Sequence, residues 1–191
     1  IIIIAILIKL EDPKWPIFFK NRRVWTNNKF FDLYKFRYMK WKYCVKDAYW
    51  VGAEKDEWLK FEKELIKKQS SRKWPLYKIQ NDPRKTKIGT FIEKYSLDEI
   101  PQFFNVFIWD MSLVWPRPHQ PREVEKYDLA DKRLLTIKPW ITGMAQVNGR
   151  EENDFKTESK LDIFYIENWS FLLDFKIILK TFWVIIQRIK K

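Results

Sequence analysis

The sequence predicts an α+β protein: a single compact domain with a small β-hairpin or sheet and several amphipathic helices, opening on an apolar N-terminal segment. Three observations carry this. Two runs rich in β-formers, "PIFFKNRRV" and "KFFDLYKFRYM", are joined by the polar "WTNNK" and read as a hairpin. Residues 54–68 place apolar side chains at 58, 61, 65 and 66, the spacing of one helix face. The 191 residues contain no internal repeat and no low-complexity linker, and one core serves a chain of that length.

Taken in order, the chain begins with "IIIIAILIKL", eight apolar residues before Lys9. A membrane span needs about 20, so this segment cannot cross a bilayer, and no charged n-region marks it as a complete signal peptide. It reads either as a buried strand or as the second half of a membrane-dipping segment whose first half lies upstream. After the hairpin and the 54–68 helix, "NDPR" at 81–84 is a turn. A helix is expected over about 98–108, beginning at an acidic pair, followed by irregular "PRPHQP". Residues 122–135 read as a helix, "ITGMAQVNGR" as a strand with a turn, and 154–168 as a helix. In the C-terminal "FLLDFKIILKTFWVIIQRIKK", Asp174, Lys180, Thr181, Gln187, Arg188 and Lys191 recur about every seven positions, a narrow polar stripe on an apolar helix. Lys176 and Lys180 make it a poor span. It either packs on a core or lies in a membrane interface with its lysines among the headgroups.

Composition narrows the function. Basic residues number 37 against 25 acidic, a net charge of +12, which calls for an anionic partner: nucleic acid, an anionic membrane face or a phosphorylated substrate. Cys44 is the single cysteine, so no internal disulfide forms, and His119 is the single histidine, which excludes a histidine-rich metal site.

The stretch "YSLDEIPQ" holds adjacent carboxylates, Asp98 and Glu99. Their ordinary explanation is a helix start, with Ser96 and Glu99 forming a capping box. Their company suggests more. Arg84, Arg117 and Arg150 sit in "NDPR", "PRP" and "NGR", where Pro or Gly fixes the backbone, and Lys35 and Arg37 project from one side of the hairpin strand. Acids with arginines at rigid turns suggest phosphoryl transfer. A carboxylate is ionised at neutral pH and attacks phosphorus without a general base. A divalent ion held by the pair would offset the repulsion between anions.

In this order, "WPIFF", "KFRYM", "NDPRKTKIG", "SLDEIPQ", "NVFIWDMSLVWPRP", "KPWITGMAQVNGR" and "LDIFYIENWS" span nearly the whole chain. The series closely resembles the bacterial sugar transferases, the polyprenyl-phosphate phosphoglycosyltransferases. The resemblance implies a monotopic enzyme on the cytoplasmic face of the bacterial membrane, opening capsule, O-antigen, exopolysaccharide or glycoprotein assembly. It implies transfer of a sugar phosphate from a UDP-sugar to polyprenyl phosphate, releasing UMP, with Mg²⁺ at Asp98 and Glu99. Asp98 is then the nucleophile that forms a covalent phosphosugar intermediate, and Glu99 its dyad partner. Arg117 binds phosphate; Arg150, Asp162, Lys35, Arg37 and Arg84 complete the expected substrate-binding set. Residues 1–12 correspond to the outgoing half of a membrane hairpin and 13–191 to the catalytic domain with its C-terminal amphipathic helix. The family often has Arg where this chain has Glu93.

The same pattern explains an odd composition. Four glycines stand where average usage of about 7% gives about 13, and tryptophan, normally among the rarest residues, occurs 11 times. The family pattern reads glycine at Trp15, Trp25, Trp109, Trp115 and Trp140, whereas Trp169 matches a family tryptophan. We read the five as UGA codons that the source translates as glycine; as tryptophans they are expected to strain left-handed positions and overpack their surroundings. Two other functions remain in view: a catalytically silent membrane scaffold of the same fold, and a basic nucleic-acid-binding protein using runs such as "FFDLYKFRYMKWKY" to stack bases. The enzyme reading expects no nucleic-acid partner.

Overall fold

The computed structural model describes residues 1–24, 29–44, 53–72, 76–114, 116–138, 140–149 and 153–190. They divide into two units interleaved in sequence: residues 1–22, 32–72 and 77–102, and residues 23–31, 73–76 and 103–191. Helix and strand are mixed, as the α+β reading expects.

In the first unit the N-terminal apolar run is a helix, α1 (Ile2–Glu11), not a strand. Only one of its faces packs. Ile8 is buried against Phe36 and Ile92, with Ile4, Ala5, Ile17, Tyr38 and Ile88 around them. Ile2, Ile3, Ile6 and Leu10 are left exposed. The hairpin forms as expected from β1 (Phe18–Val24) and β2 (Phe30–Phe36), and the connection at 25–28 lies outside the described residues. The helix expected over 54–68 is α2 (Ala53–Gln69). A helix that periodicity had not indicated, α3 (Lys87–Lys94), follows the "NDPR" turn. Its first N–H groups need partners, and three are found. The Thr86 hydroxyl accepts from Gly89 N–H at 2.8 Å, and the Glu11 carboxylate from Lys87 and Ile88 N–H at 2.7 and 3.0 Å. Gly89 is obligatory here: a Cβ would lie 1.8 Å from the Tyr38 carbonyl oxygen.

The helix expected over 98–108 is divided. Ser96 is left-handed with φ 55°, a single 3₁₀ turn spans Leu97–Glu99, and α4 (Gln102–Phe107) starts beyond Pro101. The Ser96 hydroxyl caps nothing, so the capping box is not formed.

In the second unit, β3 (Ser112–Val114) pairs in parallel with β4 (Trp140–Thr142), Ser112 opposite Trp140 and Val114 opposite Thr142. A parallel pair requires a crossover, and the chain between the two strands supplies it. Where one helix was expected over 122–135, that crossover holds α5 (Pro121–Val124) and a 3₁₀ segment, Asp131–Leu135. After α6 (Met144–Val147), Asp154 caps α7 (Phe155–Glu167) by accepting Thr157 N–H at 2.7 Å. One core joins Leu76, Tyr127, Leu134 and Phe155; another joins Val114, Val147, Tyr165 and Ile177.

The last helix, α8 (Phe171–Lys190), packs Ile177 into the second of these cores, with Leu173 and Ile178 beside it. Its packed side also carries polar groups. Asp174 accepts from Tyr165 OH at 2.5 Å, and Thr181 shares a hydrogen bond with Thr142 at 2.6 Å. Phe171, Phe175, Leu179, Phe182, Trp183 and Ile186 point outward and are exposed. No described helix is long and apolar enough to cross a membrane.

α4 ends in a Schellman motif. Asp110 N–H bonds the Asn105 carbonyl at 2.9 Å and Trp109 N–H the Val106 carbonyl at 3.1 Å, with Trp109 left-handed at φ 65°. Glycine normally fills that position. The expected overpacking does not occur at the two described rings: Trp109 is 76% exposed, and Trp15 stacks on Trp41 at 5.8 Å. Trp140 is extended strand, and Trp25 and Trp115 lie outside the described residues. Because the Trp109 ring is mostly in solvent, its replacement sacrifices little burial while the backbone strain is relieved. Trp109→Gly is therefore expected to stabilise the protein by about 1 kcal/mol, raising Tm by about 2–4 °C. Trp109→Ala, which keeps a Cβ, gives no such gain. Calorimetry on the three proteins checks this, and the codon at 109 tests the UGA reading directly.

Candidate functional site

The acidic pair acquires its geometry from two local choices. The left-handed Ser96 and the 3₁₀ turn after it bring Asp98 and Glu99 out on the same side, although adjacent helical residues diverge. On β2, period-two alternation sends Phe36 into the core and Lys35 to the other side. The Lys35 ammonium then meets both acids, donating to Asp98 Oδ2 at 3.0 Å and Glu99 Oε1 at 3.0 Å. Asp98 is 3% exposed. Burial pushes its carboxyl above the usual carboxylate range; Lys35 opposes that rise and Glu99 adds to it. For Lys35, burial favours the neutral amine, but the two carboxylates outweigh it and hold the ammonium charged.

Two hard oxygen ligands on neighbouring residues suit Mg²⁺, which commonly takes one or two carboxylates and completes its shell with phosphate oxygens and water. Among the described residues no group of three or more acids, histidines or cysteines converges; the Asp98–Glu99 pair would supply such an ion two carboxylates, beside the Lys35 ammonium that bridges them.

Arg37 and Arg84, expected at the substrate, are occupied within the fold of the first unit. The Arg37 guanidinium is 1% exposed and donates to Asp12 Oδ2 at 2.8 Å and to the Pro16 and Met39 carbonyls at 2.7 and 3.2 Å. Arg84 forks onto Asp82, with contacts of 2.7–3.1 Å, and reaches Glu62 on α2 at 3.2 Å. Both guanidinium groups are buried, and a buried charge must be paired. Their work is to fix the "KFRYM" and "NDPR" backbones. Glu93, at the departure from the family pattern, pairs with Lys85 at 2.5 Å. That lysine was not singled out in the sequence, although it lies within "NDPRKTKIG".

In the second unit, Pro116 and Pro118 are buried and hold the half-buried Arg117 between them. Asp162, on α7, accepts the backbone N–H of Arg117 and that of Ala145, the latter at 3.3 Å. One buried carboxylate thereby organises both the "PRP" and "ITGMAQ" segments. Beside them His119 bonds Tyr127 OH through Nδ1, and Glu123 lies 3.8 Å from Arg23. Burial alone would raise the Glu123 carboxyl, but Arg23, His119 and the Gln120 N–H hold it below the usual range. None of Arg23, Glu123 or Tyr127 was foreseen. The signal for Glu123 was its place three residues after Gln120, where its carboxylate accepts Gln120 N–H at 2.8 Å. Arg150 lies outside the described residues.

Burial pushes Asp162 up to about 8, the bonds from Ala145 and Arg117 resisting it. The folded carboxyl therefore keeps a proton that the unfolded chain releases near pH 4. Its contribution to stability is complete below that pH and is lost as pH rises toward 8. Asp162→Asn keeps the accepting oxygen and cannot ionise. The urea midpoint of the variant minus that of the wild type is expected to grow from pH 5 to pH 8 and then level off. A flat difference would show that Asp162 is ionised throughout.

Residues 1–188 match the bacterial sugar transferase family. The chain is 40% identical to the galactosyl transferase CpsE of Streptococcus agalactiae serotype III, over 97% of its own length and 38% of that protein. It is 38% identical to the undecaprenyl-phosphate galactose phosphotransferase of Salmonella typhimurium, over 91% of its length and 34% of the relative. It is 37% identical to the UDP-glucose:undecaprenyl-phosphate glucose-1-phosphate transferase of Escherichia coli K12, over 93% of its length and 34% of the relative. The chain thus spans little more than a third of the length of these relatives, and the shared part contains the Asp98–Glu99 pair, the "PRP" loop and Asp162. By this match over nearly its whole length, the chain belongs to the bacterial sugar transferase family.

Proposed function

We propose that the protein transfers a sugar 1-phosphate from a UDP-sugar to polyprenyl (undecaprenyl) phosphate, releasing UMP, at the membrane step that opens polysaccharide assembly. The observation that carries this is the buried carboxylate pair on a 3₁₀ turn, bridged by Lys35, in a chain of this family. Asp98 attacks the phosphorus that bears the sugar; the bond from that phosphorus to the bridging oxygen breaks, and UMP leaves. A phosphate oxygen of the polyprenyl carrier then attacks the same phosphorus, and the bond to Asp98 breaks. Asp98 and Glu99 would hold Mg²⁺, which when bound supplies charge neutralisation at the donor diphosphate. Arg117 and Arg150 are assigned to substrate phosphates. Asp162 positions the Arg117 backbone; Arg37 and Arg84 position β2 and the turn before α3. Galactose and glucose are the sugars named for the relatives above, and UDP-galactose and UDP-glucose are the first donors to test.

With the full chain in nanodiscs, polyprenyl phosphate, Mg²⁺ and a panel of UDP-sugars, UMP release is expected with one donor. Asp98→Asn is expected to lower it by about 10³-fold or more. Release that is undiminished in Asp98→Asn would remove Asp98 as nucleophile, and no release from any UDP-sugar would favour the silent scaffold.

The protein acts from the cytoplasmic leaflet as a monotopic enzyme, with α8 in the interface. The support is the outward apolar face of α8, bordered by Lys176 and Lys180, an arrangement suited to acyl chains and anionic headgroups. Phe175→Ser with Phe182→Ser is expected to weaken binding to phosphatidylglycerol vesicles by about tenfold or more, given the apolar area removed. Flotation measures it, and unchanged binding would take α8 out of the interface.

A further inference from the structure

The two oxygens of the Asp98 carboxylate are not equivalent. Oδ2 accepts the Lys35 ammonium at 3.0 Å, and among the described residues no donor is bonded to Oδ1. The same ammonium takes Oε1 of Glu99 at 3.0 Å. Lys35 is itself rigidly placed. It precedes Phe36, which is fully buried and stacked on Phe18 at 5.3 Å, and Arg37, whose guanidinium is tied to four backbone or side-chain oxygens. Its Nζ therefore sits on a fixed strand and forms one corner of a triangle with the two acids.

We propose that Lys35 is a positioning residue for the nucleophile: it pins Oδ2 of Asp98 and Oε1 of Glu99, so that Oδ1 of Asp98 is the oxygen that attacks phosphorus. This rests on the proposed phosphosugar transfer with Asp98 as nucleophile. It gives Lys35 a role distinct from that of a cation gripping the donor diphosphate, because its amine is engaged by the enzyme's own carboxylates. Two anions left without Lys35 would repel one another and turn apart, and a carboxylate free to rotate presents either oxygen. Displacing a reacting group by about 1 Å can cost about 10²-fold in rate.

Single-turnover formation of the phosphosugar–enzyme, followed by intact mass and UMP release, separates the possibilities. Lys35→Met keeps the unbranched stem as far as Cε and removes the charged Nζ. Positioning predicts that the maximal rate falls about 10²-fold while KM for the UDP-sugar changes by less than about threefold. Lys35→Arg, which can bridge two carboxylates, is expected to recover at least about tenfold of the loss. A raised KM with an unchanged rate would make Lys35 a donor-binding residue and overturn the proposal, as would a Met variant with the rate of the wild type. Should Lys35→Met lose its cooperative unfolding transition, Lys35→Arg decides alone by the same division between rate and KM. Wild-type protein that forms no adduct overturns the transfer mechanism itself, and the positioning role with it; wild-type turnover with an unaffected Lys35→Met overturns the positioning role only.

Discussion

The first unit depends on one buried cation. Arg37 is almost completely removed from water, and leaving such a charge unpaired would cost about 3–5 kcal/mol. Its partners are therefore obligatory: the carboxylate of Asp12 just beyond α1, and the carbonyls of Pro16 and Met39 on either side of the hairpin. Satisfying them fixes where α1 ends and where β2 ends. Glu11, next to Asp12, is then in place to cap α3, and Ile8 one turn earlier lies against Phe36 and Ile92. Lys35, two residues before Arg37, inherits a fixed position from the same strand. The geometry at Asp98 is downstream of this network.

Charge is used in two ways in this protein. Most of the buried carboxylates and guanidiniums satisfy backbone groups or one another. Asp162 takes two backbone N–H groups and Asp82 folds Arg84 back onto its own turn; the exposed Asp154 and Glu11 cap helices. Such groups hold loops at fixed shapes without touching substrate. The Lys35–Asp98–Glu99 cluster differs, since one ammonium bridges two adjacent acids on a short turn that is left-handed at its start. The basic and aromatic run at 30–43 belongs largely to the first kind. Phe31, Leu33 and Phe36 are buried and Lys35 and Arg37 are ion-paired, while Phe30, Lys40 and Lys42 remain exposed.

The limits of the sequence follow from the same distinction. The hairpin, α2, α7 and α8 were legible because their periodicity extends over several turns or residues. α3 was not, because only eight residues form it and its start is secured by Glu11, far away in sequence, as well as by Thr86. β3 and β4 are three residues each and exist only as a pair. The 98–108 helix was over-extended because the acidic pair, with Ser96 and Glu99 as a capping box, was read as its start, whereas the left-handed Ser96 makes a separate turn. At the site, residue types and order pointed to Asp98 and Glu99. Which cation meets them could not be read: Lys35, Arg37 and Arg84 look alike as motif cations, and only the strand register and the burial of each distinguish them.

α8 shows why pattern alone left two readings open. A stripe of polar residues on an apolar helix ordinarily faces water, and the stripe in the sequence contained Asp174 and Thr181. In the fold these two turn inward because Tyr165 OH and Thr142 await them there, and a hydroxyl buried without a partner would be costly. The inner face thus joins the buried Ile177 to these hydrogen bonds, and a second apolar stripe from Phe171 to Ile186 is left facing outward. Large aromatic side chains held in water by an otherwise satisfied helix need an apolar medium of their own. The exposed isoleucines of α1 in the other unit pose the same requirement. The proposed transfer to polyprenyl phosphate would account for both faces, since the chain of such a carrier resides in the bilayer and its phosphate emerges at the surface.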